Sequence, residues 1–231
     1  MSSTRTRLSP LSTAGLLVLC VVPSLAGVLR IVELATGAEI TPDNARFFES
    51  PVAVVVHIVS VTTYSVLGAF QFAPGLRRGR PGWHRAAGRV LVPAGLVAAL
   101  SGLWLTLFFP VPAKDEGLLE AFRIVVGVAM TISIALGYRA VRGRDTAGHR
   151  AWMIRGYALG MGAGTQAVIL APVTAIAGAP TGVAWPLLMG AGWAINAAVA
   201  EWLIRRRVTD RRTRTRSYVP AEARVSIHRS R

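Results

Sequence analysis

Apolar residues in this chain gather into six long runs separated by short polar segments. The runs fall at 11–32, 51–73, 90–110, 118–138, 156–177 and 183–204. About 20 mostly apolar residues make a helix that crosses roughly 30 Å of hydrocarbon. The pattern therefore predicts an all-α fold, a polytopic integral membrane bundle of about six transmembrane helices. Residues 1–10 form a short N-terminal stretch. Residues 205–231 form a basic tail, poor in large apolar groups and expected to be largely disordered.

Composition agrees with this reading. Hydrophobic residues make up 52% of the chain and charged ones 16%, yet the net charge is +15. Soluble domains carry about 25% charged residues, so this chain has too few to cover a water-facing surface. Its arginines lie in blocks between apolar runs, a distribution that excludes a nucleic-acid-binding face.

The blocks also set an orientation. With the N-terminus in the cytoplasm, cytoplasmic segments hold 22 of the 26 Lys and Arg residues. The other side keeps Arg30, Arg46, Lys114 and Arg123 among several acids. Excess basic charge on short loops marks the cytoplasmic side. Both termini are thus expected inside, in a multi-pass protein of a bacterial cell (inner) membrane. Ser24-Leu25-Ala26 after Arg5 and Arg7 resembles a secretory signal. The run is longer than a typical signal core and Arg30 and Glu33 continue it, so the first span is expected to be retained. The one cysteine, Cys20, excludes an intramolecular disulfide framework and reads as buried filler.

An internal echo runs through the middle of the chain. Leu67-Gly68 leads through an arginine loop to Gly82-Trp83-His84-Arg85-Ala86, then a helix. Leu136-Gly137 leads through a second arginine loop to Ala147-Gly148-His149-Arg150-Ala151, then another helix. The two units read as hairpins of the same orientation, a parallel repeat.

Polar groups are costly in hydrocarbon, so their placement points to function. On the second span His57, Ser60, Tyr64, Gly68 and Gln71 recur every three or four residues, one helical stripe expected to face the bundle. Arg123 on the fourth span, Gln166 on the fifth, and Asn196 and Glu201 on the sixth extend this polar intramembrane set. Glu120, three residues from Arg123, is expected to neutralise it. On the fifth span Gly156, Gly160 and Gly164 form a small-residue stripe for close approach of another helix.

Three histidines are candidate cofactor ligands. His84 and His149 occupy equivalent places in the two hairpins, near the cytoplasmic rim, and His57 lies inside the second span. They suit haem b, and the bundle around them suits a quinone. The same rim, with Arg85, Arg89, Arg150 and Arg155, equally suits anionic lipid headgroups or an anionic substrate. A third reading makes the rim an interfacial anchor, with Trp83 and Trp152 at headgroup level. No metal cluster, phosphate-binding glycine loop, His-Glu-x-x-His run or Gly-x-Ser-x-Gly elbow occurs, and the sequence leaves enzymatic activity open.

Leu67-Gly68-Ala69-Phe70-Gln71-Phe72, His84-Arg85 with Gly88-Arg89, and the run from His149-Arg150-Ala151-Trp152-Met153-Ile154-Arg155 to Leu159 resemble a known family. It is the bacterial membrane-protein family catalogued as domain of unknown function 2306. The ending Asn196 through Ala200-Glu201-Trp202 fits it, and His57 takes the place of the family's histidine on that helix. The likeness covers roughly 50–205, with Ala69 standing for an expected proline and Gly156 for an expected serine. It implies a multi-span membrane protein and no particular activity. The leading specific expectation is a membrane redox protein binding haem or quinone. A small permease or lipid-handling protein is one alternative. A structural partner in a homo-oligomer or larger membrane complex is another.

Overall fold

The computed structural model describes residues 10–42, 44–110 and 115–217. Arg5, Arg7, Asp43, Lys114 and the tail from 218 onward, with His228, lie outside the described residues. The elements are α1 (Pro10–Thr36), α2 (Ala45–Glu49), α3 (Pro51–Gln71), α4 (Pro74–Gly79), α5 (Pro81–Phe108), α6 (Leu118–Arg142), α7 (Thr146–Gly160), α8 (Gly162–Ala177) and α9 (Ala184–Ser217). No strand occurs among the described residues. Among the described residues five helices are long and apolar enough to cross a membrane, and α7 with α8, bent by 41° at their junction, together meet the same test as a candidate sixth. Val18, Val21, Val22, Leu25, Val28 and Leu29 of α1 are each more than half exposed. So much apolar surface on one helix suits lipid, not water.

Local chemistry moves several boundaries away from those the apolar runs suggest. Prolines at the first turn open α3, α4 and α5, where a fixed φ fits and no amide hydrogen is missed. Helix α5 therefore starts at Pro81, nine residues before the expected span, and takes in His84, Arg85 and Arg89. Asp145 caps α7 by accepting the Gly148 amide at 2.8 Å. The helix of the fifth span thus starts at Thr146, not 156, and it is broken in two instead of continuous. Helix α9 runs on to Ser217, so residues 205–217, expected within the disordered tail, are helical. No Gly or Pro interrupts that segment, and arginine is a strong helix former.

The closest helix pairs are α3 with α5 and α6 with α7, the two hairpins of the repeat. Helix α7 is central and touches α3, α5, α6 and α9; beyond the bend, α8 lies instead against α1 and α9. The core holds Cys20, Tyr64, Leu91, Met130, Ile134, Tyr157 and Met161 with small alanines. At its middle the Tyr64 ring sits between two glycines. A Cβ on Gly95 would come within 2.5 Å of Tyr64 Cε2, and one on Gly160 within 3.0 Å of Cε1. Each glycine stands eleven residues after its hairpin's histidine, His84 or His149. The sequence echo is therefore also an equivalence in space. The glycine stripe on the fifth span is filled from within the chain. Gly156 and Gly160 face Tyr64, and a Cβ on Gly164 would overlap the Leu19 carbonyl of α1.

Candidate functional site

Helix α9 ties down both halves of the bent span. Carbonyls in the last turn of a helix lack intrahelical partners. Asn196 donates Nδ2 to one of them, Ala158, at 3.0 Å, just before the bend. Thr165, just after the bend, donates its hydroxyl to Asn196 Oδ1 at 2.8 Å. Buried Gln166 donates to the Met189 carbonyl at 2.8 Å. Nearer the arginine-rich end, Glu201 receives Arg155 Nε at 2.5 Å and Nη2 at 3.0 Å, a bidentate pair, and the same guanidinium stacks on Trp152 at 4.7 Å. Arg155 was expected on an anion-binding rim. The structure spends its guanidinium on Glu201 instead, because the carboxylate stands directly opposite on α9. Arg85 and Arg89 are exposed and Arg150 is half-buried.

The polar stripe on α3 is engaged group by group. His57 and Gln71 are fourteen residues apart, about 21 Å along the helix, so the stripe is a series of contacts and not one pocket. Gln71 reaches toward the His84 carbonyl at 3.5 Å, Gly68 packs under the Tyr157 ring, and Ser60 is half-buried. Tyr157 in turn donates to the Ser65 carbonyl at 2.8 Å. The Tyr64 hydroxyl is buried and makes no hydrogen bond among the described residues.

His57 meets Ser101 of α5, with Nδ1 to Oγ at 3.0 Å. Ser101 Oγ also lies 2.6 Å from the Val97 carbonyl oxygen. Two oxygens that close need a proton between them, so the serine donates to Val97. His57 Nδ1 must then be the donor to Ser101, and the neutral ring carries its lone pair on Nε2. Ser101 also forms the inner end of a groove of about 520 Å³, walled by Glu49, Ser50, Val52, Val56 and Trp104. The groove lies between α3 and α5, near the end of the bundle that carries the acidic loops.

At that same end Arg123 pairs with Asp115 at 3.0 Å, and Trp185 of α9 donates to the other Asp115 oxygen at 2.8 Å. Glu120 was expected to neutralise Arg123. Asp115, only 4% exposed, takes that place because it is the buried carboxylate in need of partners. At the opposite end each histidine is held within its own hairpin. The His149 Nδ1 donates to the Gly137 carbonyl at 2.8 Å, and the His84 carbonyl receives Gln71.

Ser101, Trp104, Thr165 and Asp115 were missed from the sequence. Ser101 carried a signal. It is one of two hydroxyls in the third span, with Thr106, and stands about seven residues from that helix's acidic-side end, as His57 is about six from its own.

A family model described as predicted membrane protein (DUF2306) matches residues 54–204, which contain both hairpins, Ser101 and the clamp on α9. No curated protein matches the chain. No solved structure matches it either.

Proposed function

As this chain belongs to the DUF2306 family of predicted membrane proteins, we propose that it binds a membrane-soluble ring amphiphile of the quinone type between α3 and α5. One observation carries the reading: an apolar groove lined by Ser101, whose hydroxyl is in turn hydrogen-bonded to His57, and by Trp104. Ligand sites are mostly apolar clefts of about 300–1,000 Å³ with a few convergent polar groups. The groove fits that size and opens sideways on helices that face lipid, so a ring with an isoprenoid tail reaches it without leaving the membrane. Trp104 offers a face for the ring to stack on. The polar pair fixes the ring's oxygen.

The test is photolabelling of the purified protein in lipid nanodiscs with an azido-benzoquinone. Label on α3 and α5, competed by unlabelled quinone and lost in Val56→Trp, supports the reading. Label scattered over all lipid-facing helices, or untouched by competitor, means ordinary lipid fills the groove.

A second reading, haem b, draws on His149. Its Nδ1–H···O=C bond to Gly137 leaves Nε2 as a lone pair, the form that ligates iron and is usually oriented in this way. Oxidised and dithionite-reduced absorbance spectra of protein grown with haem precursor test it. A reducible Soret band lost in His149→Ala or His84→Ala supports it, and a flat spectrum removes it.

A further inference from the structure

We infer that the groove selects the reduced, hydroxyl-bearing ring over the quinone. This rests on the reading above that a quinone-type ring enters between α3 and α5.

The argument is a count of donors and acceptors at the inner end. The single Ser101 hydroxyl proton is committed to main-chain carbonyls, Val97 at 2.6 Å with Ala98 at 3.2 Å. One Ser101 lone pair already receives His57 Nδ1–H at 3.0 Å. What Ser101 offers a ligand is therefore one remaining lone pair, an acceptor and not a donor. His57 does not reverse this, because it does not line the groove and its own proton is held on Nδ1 by the same network. The Glu49 carboxylate, which also lines the groove and is in no ion pair among the described residues, is a second acceptor.

A quinone oxygen is acceptor-only. Set against Ser101 it faces a lone pair and goes unsatisfied in a low-dielectric site, where that loss is costly. A hydroquinone hydroxyl donates to the same lone pair and completes the chain from ligand through Ser101 to the Val97 carbonyl. A second ring oxygen directed at the first turn of α3 would meet the main-chain amides of Val52 and Ala53, which have no helical partner and donate to either redox form equally. Discrimination thus resides at Ser101.

Anaerobic equilibrium dialysis of the nanodisc-embedded protein against a short-chain benzoquinone and its hydroquinone measures the selection. The hydroquinone is expected to bind about tenfold more tightly, the worth of one hydrogen bond to the half-buried Ser101. In Ser101→Ala the ratio should fall to near one, chiefly through loss of hydroquinone affinity. Equal or tighter quinone binding, with photolabel still in the groove, overturns the selection and leaves the binding reading standing. Saturable binding of neither form overturns both. The wild-type ratio decides the matter even where Ser101→Ala is not recovered folded.

Discussion

Asn196 of α9 donates its side-chain amide to the Ala158 carbonyl at 3.0 Å while accepting the Thr165 hydroxyl at 2.8 Å, so one residue joins both halves of a helix bent by 41°. A kink in a membrane helix exposes main-chain groups that hydrocarbon cannot satisfy, and a neighbouring helix must supply partners. Asn196→Leu removes that supply. Hydrogen bonds between membrane helices average about 0.6 kcal/mol and reach about 1.7. With two bonds lost, unfolding in detergent should shift by about 1–2 kcal/mol. A double-mutant cycle with Thr165→Val should show coupling. Additive effects would mean that the two contacts act separately.

This bend also marks what the sequence made legible and what it did not. The apolar runs locate the five crossing-length helices and the bent pair because hydrocarbon demands about twenty apolar residues whatever their neighbours do. Helix ends depend on single residues such as Pro81 and Asp145, which an apolar average does not weigh, so α5 and α7 start well before their runs. The break at Met161 was visible only as the run Gly160-Met161-Gly162-Ala163-Gly164, which reads equally as a small-residue packing stripe. Both descriptions hold, since the glycines at once let helices touch and let the chain turn. Asn196, Gln166 and Glu201 stood out as polar groups in apolar surroundings. Their partners were hidden: Ala158 and Met189 offer only main-chain oxygens, and Arg155 looked like one basic rim residue among several. Ser101 shared only its depth with His57, an easily overlooked signal because serine is ordinary in a membrane helix, and the packing of α3 on α5 sets the two together.

Gly164 and Gly88 give opposite expectations for the same substitution. A Cβ at Gly164 would overlap the Leu19 carbonyl of α1, which is backbone and cannot rotate away. A Cβ at Gly88 meets nothing within 4 Å. Overpacking costs roughly 1–3 kcal/mol, so Gly164→Ala should destabilise by about that much and loosen α1 from α8. Gly88→Ala, mid-helix in α5, should be neutral or gain up to about 1 kcal/mol from helix propensity. Thermal unfolding of the two variants side by side checks this. Equal behaviour would mean that α1 does not dock on α8 as described.

Arg155 and Glu201 form a two-pronged pair whose side chains are 30% and 37% exposed. That exposure screens them, so a double-mutant cycle with Arg155→Met and Glu201→Gln should give coupling of about 1 kcal/mol, less in high salt. Arg155→Lys should not restore it fully, because an ammonium lacks the planar fork and stacks less well on Trp152. Full rescue by lysine would reduce the contact to simple charge balance.

Tyr64 and Tyr157 stack at 5.8 Å between ring centroids, yet their hydroxyls differ in kind. Tyr157 donates to the Ser65 carbonyl at 2.8 Å, tying the central helix to α3. The Tyr64 hydroxyl is buried without a hydrogen-bond partner among the described residues, on the side of Gly156. A buried polar group without a hydrogen bond costs about 1–3 kcal/mol, whereas removing one that is bonded loses about 1 kcal/mol. The same chemical change should therefore have opposite signs. Tyr157→Phe should lower the unfolding temperature in detergent, and Tyr64→Phe should raise it. Gly156→Ser offers an independent route to the second result. A Cβ there would lie 3.4 Å from the Tyr64 hydroxyl, close enough for the added serine oxygen to pair with it, although 3.1 Å from Ile134 Cγ1 requires that side chain to yield slightly. If the pairing forms, Gly156→Ser should lose its benefit in a Tyr64→Phe background. A gain that survives there would come from helix propensity alone, and the unsatisfied hydroxyl would not be the source of the instability.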